Sequence, residues 1–231
     1  MNNAALSIAV PKGRLLEPTL EVLLRAGIEC PDTKELDRRL VFNSADGFLK
    51  FIMARPSDVP TYVECGAADL GITGKDVLLE CGLNVCELLD LGYGKCKMVL
   101  AAPAEAPTAN NSRGGEHVLR VATKFPAIAR RHFAGMREVC VQIIKLNGAV
   151  EIAPITGLAD RILDIVDTGR TLRENGLVVV EEVLQVSARL IANRASMQLK
   201  ADSLQRLVSA IAAAAPATGA NDYSDHEEAA R

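Results

Sequence analysis

The sequence predicts an α/β fold of two lobes with a cleft between them. Three observations carry that expectation. Short apolar runs alternate with amphipathic helical runs from Leu6 to Asp90, and the same alternation starts afresh at Lys97. Apolar residues make up 49% of the 231 positions, ample for packed cores.

The first apolar run, Leu6 to Val10, reads as a buried strand closed by Pro11-Lys12-Gly13-Arg14. A helix follows, with Leu15, Leu16, Leu20, Leu23 and Leu24 on one face and Gly27 as its stop. Arg39 to Asn43 and Phe48 to Ala54 read as strands around the turn Ser44-Ala45-Asp46-Gly47. Ser57 or Asp58 caps a helix through Tyr62 and Val63 that ends at Gly66. Asp69 to Thr73 is a strand and Lys75 to Cys81 a helix, so this lobe is expected to hold a largely parallel sheet.

In the second lobe, Met98 to Ala102 is a strand and Ala104 to His117 a surface loop. Leu119 to Thr123 and Val139 to Leu146 read as strands flanking a helix from Ala127 to Phe133. Leu158, Ile162, Leu163 and Val166 mark a helix, and Leu177 to Val180 and Leu184 to Val186 are strand-like. Ser203 to Ala215 is a final helix that Pro216 stops. These limits divide the chain into a discontinuous first lobe, residues 1–95 plus 184–215, and an inserted second lobe, residues 96–183. Residues 216–231 are small, polar and acidic, the composition of a disordered tail.

Charge and composition exclude several classes. A net charge of −3, no tryptophan and 3% aromatic residues disfavour a nucleic-acid surface, which needs basic patches and stacking rings. The 6 cysteines form no CxxC pair, and His117 and His132 have no nucleophile or metal partner nearby in sequence, so no dedicated metal site is expected. The apolar run Ala4 to Val10 lacks a basic leader, and no run approaches the ~20 residues that span a bilayer. The expectation is a soluble cytoplasmic protein with free thiols.

The chemistry concentrates between Glu151 and Leu172. Thr168-Gly169-Arg170-Thr171 reads as a tight turn in which Gly169 lets several backbone N–H groups converge on an anion, with Thr168 and Thr171 adding hydroxyl donors. Such a turn suits a phosphate monoester. On the helix expected upstream, Asp164 and Asp167 lie one turn apart, placed to accept from sugar hydroxyls or to hold Mg²⁺ through water. Taken alone, Asp160, Asp164 and Asp167 read as the solvated face of that helix; joined to the turn, they read as part of a site. Gly74-Lys75 is no P-loop, because Asp76 stands where Ser or Thr is required.

The run from Glu151 to Leu172 resembles the phosphoribosyl-pyrophosphate signature of the ATP phosphoribosyltransferase family. Glu151, Gly157, Ala159, Ile162, Asp164, Ile165, Thr168, Gly169, Thr171 and Leu172 fill its fixed positions, while Asp167 falls at a variable one. Ala9 to Leu15, Arg55 to Val63, Gly66 to Asp76 and Ser187 to Asn193 resemble further family stretches in the same order. The resemblance implies a periplasmic-binding-protein-like (type II) fold. It also implies transfer of a phosphoribosyl group to N1 of the adenine of ATP, with release of pyrophosphate, at the start of histidine biosynthesis.

What the resemblance implies for single residues follows. Glu151, Asp164, Asp167, Thr168, Gly169, Arg170 and Thr171 would bind phosphoribosyl pyrophosphate. Lys12 and Arg14, cations on the loop leaving the first strand, would meet pyrophosphate or the triphosphate. Lys12, Arg55 and Asp76 would face ATP, and Arg38 would reach a phosphate, across a dimer in one arrangement. Mg²⁺ would arrive with the sugar donor. Without the regulatory domain of long members, the chain resembles the short form. That form works as a homodimer inside a hetero-oligomer with a histidyl-tRNA-synthetase-like regulatory subunit. Two alternatives stand beside this reading: a phosphoribosyltransferase with another acceptor, and a non-catalytic solute-binding protein of the same two-lobed plan.

Overall fold

A computed structural model describes residues 5–30, 39–44, 47–104, 118–136 and 140–216. Arg38, His117, most of the surface loop after Ala104 and the tail beyond Pro216 lie outside the described residues.

Two sheets organise the described residues. The first contains β1 (Leu6–Pro11), β2 (Val41–Asn43), β3 (Leu49–Ala54), β4 (Leu70–Gly74), β5 (Cys86–Asp90) and β11 (Ala188–Ala192), in the order β2-β3-β1-β4-β11-β5. The second contains β6 (Cys96–Pro103), β7 (Leu119–Thr123), β8 (Val141–Lys145), β9 (Arg161–Val166) and β10 (Leu177–Val186), in the order β10-β6-β9-β7-β8. The chain crosses to the second sheet after Asp90 and returns at Ser187. Both crossings are tied together: the Leu91 N–H donates to Ala188 O at 2.9 Å, and Ser187 Oγ to Asp90 Oδ1 at 2.8 Å.

Helices cover the faces. α1 (Leu16–Arg25), α2 (Val59–Glu64) and α3 (Lys75–Cys81) follow strands of the first sheet. α4 (Pro126–Ala134), α5 (Ile152–Ile155) and α6 (Arg170–Glu174) belong to the second sheet, and α7 (Arg194–Leu199) and α8 (Ala201–Ala214) follow the return strand. On one side of the first sheet Ile8, Val10, Phe51, Leu70, Ile72 and Leu190 pack with Leu23 of α1 and Leu204, Leu207 and Ile211 of α8. On the other, Ala9 and Ile191 meet Val59 and Val63 of α2. Burial on both faces explains why β1, β4 and β11 read as continuous apolar runs rather than alternating ones. Each large side chain so enclosed contributes about 1.5–3 kcal/mol.

Three expectations need correction, and one strand is additional. The segment around Ile162, Leu163 and Val166 is not a helix but β9, paired with β6 on one side and β7 on the other. Its six residues, Arg-Ile-Leu-Asp-Ile-Val, are short and half β-branched, and a central strand satisfies their backbone from both flanks. The first sheet is mixed, not largely parallel. Only β1–β3 and β1–β4 run parallel, because the short β2–β3 connection and the returning β11 both enforce antiparallel pairing. β5, an edge strand of half-buried residues, has no clear apolar signal in the sequence and was not expected. Finally, Leu177 to Val186 is one strand with two irregularities of register, so the expected boundary between 183 and 184 falls inside β10.

Candidate active site

The parallel strands of both sheets end at the same place. Lys12, Arg55 and the Lys75-Asp76 start of α3 follow the carboxyl ends of β1, β3 and β4, which lie in register: Pro11 pairs with Ala54, and the Lys12 N–H donates to Ala54 O at 2.8 Å. In the second sheet Lys124 follows β7 and Asp167 follows β9. Open α/β sheets bind ligands outside the carboxyl ends of their strands.

Two concavities occupy this region. One, of about 230 Å³, is lined by Glu151 and the continuous run Asp164 to Leu172. Gly169 holds φ +72°, the left-handed region, and introduces α6; a Cβ there would lie 3.1 Å from Arg173 Nη1. The turn is held from behind, since Arg173 Nη1 donates to Thr168 O at 3.1 Å and Leu172 is buried in the core. Thr168 to Thr171 therefore form a fixed strand-to-helix corner. The second concavity, about 140 Å³, lies where the sheets meet and is lined by Arg14, Pro56, Gly74, Asp76 and Ser187 among others.

Arg14 connects the two. Its Nη1 lies 3.5 Å from Asp167 Oδ2, and its Nη2 donates to Cys96 Sγ at 3.5 Å. The Cys96 contact and the carboxylates of Asp167 and Asp76 all favour the charged guanidinium, whose pKa is raised. Burial pushes the Asp76 carboxyl above its ordinary range, opposed by N–H groups of Val77 and Asp76 itself and by the cations Lys124 and Arg14. Asp164 is shifted the same way, chiefly by burial, with Lys124 opposing and Glu151 reinforcing the shift. Lys124 Nζ lies 3.7 Å from Asp164 Oδ1. Two largely buried carboxylates, one from each lobe, thus feel one ammonium.

The ATP phosphoribosyltransferase family model matches residues 55–213 of the chain. An ATP phosphoribosyltransferase of Ruminiclostridium cellulolyticum is 46% identical over 206 residues, covering 89% of this chain and 95% of its own. One from Caldicellulosiruptor bescii is 52% identical over 195 residues, 84% of this chain and 92% of its own. The chain belongs to the ATP phosphoribosyltransferase family. The solved ATP phosphoribosyl transferase (HisG:HisZ) complex from Thermotoga maritima superposes with a TM-score of 0.73 at 33% identity, covering 90% of this chain and 97% of that one. The periplasmic aliphatic sulphonate binding protein SsuA of Escherichia coli shares only the fold, with a TM-score of 0.55 at 14% identity over 91% of this chain and 68% of its own. The fold is therefore the two-lobed type II plan, and among the alternatives neither the solute-binding protein nor another acceptor is favoured.

For an ATP phosphoribosyltransferase the arrangement is informative residue by residue. Glu151, Asp164, Asp167, Thr168, Gly169, Arg170 and Thr171 line one concavity, and Arg14 and Asp76 the other. Lys12 and Arg55 line neither, although they flank the same strand ends. Asp164 and Asp167 do not share a helix face. Asp164 sits in β9 with its side chain 15% exposed, and Asp167 follows the strand, so the solvated-helix alternative fails for Asp164. Asp160 is structural: both its oxygens are engaged by Arg120, the closest contact 2.7 Å. His132 lies edge-on to Phe133 and 3.5 Å from Glu181, away from both concavities.

Sequence reasoning missed Lys124 and Cys96. The signal for Lys124 was available, since Thr123-Lys124-Phe125-Pro126 is a strand end running into a helix, the same context that singled out Lys12. For Cys96 there was none, because only the fold brings it to Arg14.

Proposed function

We propose that the paired concavities transfer the phosphoribosyl group of phosphoribosyl pyrophosphate to N1 of the adenine of ATP. The N1–C1 bond forms as the C1–oxygen bond breaks, and the bonding pair leaves with pyrophosphate. The observation that supports this most is the Arg14–Asp167 pair at 3.5 Å, which links the corner at Gly169 to the concavity holding Asp76.

The roles follow from chemistry. The N–H groups and hydroxyls of Thr168 to Thr171 receive the 5′-phosphate, with Arg170 at the rim, where it pairs with Glu174 at 2.7 Å. Asp164 and Glu151 accept from ribose hydroxyls, which the ionised carboxylate does best. Arg14 meets the oxygens of the departing pyrophosphate, where negative charge grows as the ribose becomes oxocarbenium-like, and Lys12 adds a second cation. Arg55 and Asp76 receive ATP, and Arg38, beyond the described residues, is assigned to a phosphate. Catalysis is then positioning plus electrostatic stabilisation rather than covalent work.

Mg²⁺ completes the donor's charge balance. The hard oxygens of Asp164 and Asp167 beside the corner fit an ion bound mainly through substrate oxygens and water, and among the described residues no group of three or more His, Cys, Asp or Glu could cage it. The assembly we propose is a homodimer within a hetero-oligomer containing a histidyl-tRNA-synthetase-like regulatory subunit; that the Thermotoga neighbour is a HisG:HisZ complex supports the hetero-oligomer. We place the reaction in the cytoplasm; no helix among the described residues is long and apolar enough to cross a membrane. Incubating the chain with ATP, Mg²⁺ and phosphoribosyl pyrophosphate should yield an absorbing N1-substituted adenine adduct. No adduct, even with a regulatory subunit supplied, defeats the proposal.

A further inference from the structure

α3 grows directly out of β4 in the first sheet, yet its far end is built into the second lobe. The Glu80 carboxylate accepts from the Ala127 N–H at 2.9 and 3.1 Å and from the Ile128 N–H at 3.1 Å. α4 has no cap of its own: Phe125 stands at its N-cap without a side-chain hydrogen bond, and Pro126 brings no N–H. The first unpaired donors of α4 are therefore met by a carboxylate from the other lobe, at the end of the helix where negative charge is favoured. Leu79 beside it packs on the apolar cluster of Ile128 and Phe133, and Leu79 O accepts from Arg131 Nη2 at 3.5 Å.

What this contact holds in place is the site. Lys124 lies just before α4, with Nζ 3.7 Å from Asp164 Oδ1 and 5.3 Å from the centroid of the Phe125 ring. Asp76 occupies the first turn of α3, four positions before Glu80, so both point from one face of the helix. One short helix thus offers Asp76 to the site while its other end anchors the segment that carries Lys124. We propose that Glu80 is a positioning residue of the transferase. From the first lobe it caps α4 in the second, and so sets where Lys124 stands relative to Asp76 and Asp164. The inference rests on the site assignment above. A hinge opening that drew α3 from α4 would uncap the helix and carry Lys124 away from Asp76 together.

The test is a double-mutant cycle on the full chain, read as kcat and KM for phosphoribosyl pyrophosphate with a melting curve for each variant. K124M, which removes the ammonium that favours the ionised Asp164 and Asp76, should lose about tenfold or more in kcat, E80A about three- to tenfold, and the double variant no more than K124M alone, because Glu80 acts through Lys124. E80Q, which keeps an oxygen over the same N–H groups, should recover most of the E80A loss. If E80A does not fold, E80D replaces it, its shorter side chain leaving the cap unmade. Losses that multiply in the double variant, an E80A enzyme as active as the wild type, or an E80Q enzyme as impaired as E80A each overturn the proposal. A wild-type chain that forms no adduct overturns the site assignment itself, and an active wild type with multiplying losses overturns the Glu80 role alone.

Discussion

Replacing Arg14 by alanine separates catalysis from architecture. Its ion pair with Asp167 spans 3.5 Å between side chains 53% and 65% exposed, so it contributes about 0–1 kcal/mol to stability. The Cys96 contact at 3.5 Å is a weak one to sulfur. Together these put the melting point of Arg14→Ala within about 2–4 °C of the wild type for a chain of this size. Catalysis responds differently. A preorganised donor to charge that develops only in the transition state contributes about 2.7–4 kcal/mol, so kcat should fall about 10²–10³-fold while KM for both substrates changes little. Initial rates over a two-substrate grid, with a melting curve on the same preparation, measure both. Equal losses in affinity and turnover would make Arg14 a ground-state contact. A melting point lowered far beyond a few degrees would make it structural. Either refutes the reasoning.

Three further outcomes follow from the same geometry. Thr171→Ala should weaken phosphoribosyl-pyrophosphate binding by about 1–3 kcal/mol by calorimetry, the cost of an unmet hydrogen bond to a charged group, and an unchanged Kd removes Thr171 from the site. In Gly74→Ala the added Cβ would collide with Asp76 Oδ1, forcing that carboxylate to swing away; KM for ATP should rise about tenfold, some 1.4 kcal/mol, and a wild-type KM argues against Asp76 as an ATP contact. The pH dependence has a defined sign. Burial raises the carboxyl pKa of Asp76 and Asp164, so their charging costs folding stability as pH rises from the ordinary aspartate range through the raised values. Because the proposed roles require the ionised forms, the acid limb of kcat/KM should lie above that ordinary range. Lys124→Met should move it higher still, since Lys124 opposes both shifts, and an unmoved limb contradicts the assignment.

Legibility varied along the chain for physical reasons. The helix from Lys75 to Cys81 was readable to the residue, because Gly74 is extended before it and Gly82 left-handed after it. The corner at Gly169 was readable because its flexible residue and its donors are contiguous. β9 was not, since a short apolar run enclosed on both sides carries no period that separates strand from helix. The strand places Asp164 differently from a helix, yet it still lines the concavity at Gly169. The contacts of Arg14 with Cys96 and Asp167, and of Glu80 with α4, join positions far apart in the chain and follow only from how the two sheets face one another.

The most direct measurement is a crystal structure of the chain with phosphoribosyl pyrophosphate and Mg²⁺ bound. The 5′-phosphate should sit against the N–H groups of Gly169 to Thr171, with the ribose hydroxyls toward Asp164 and the pyrophosphate toward Arg14. A donor seated outside the concavity that runs from Asp164 to Leu172 would contradict the account at its root.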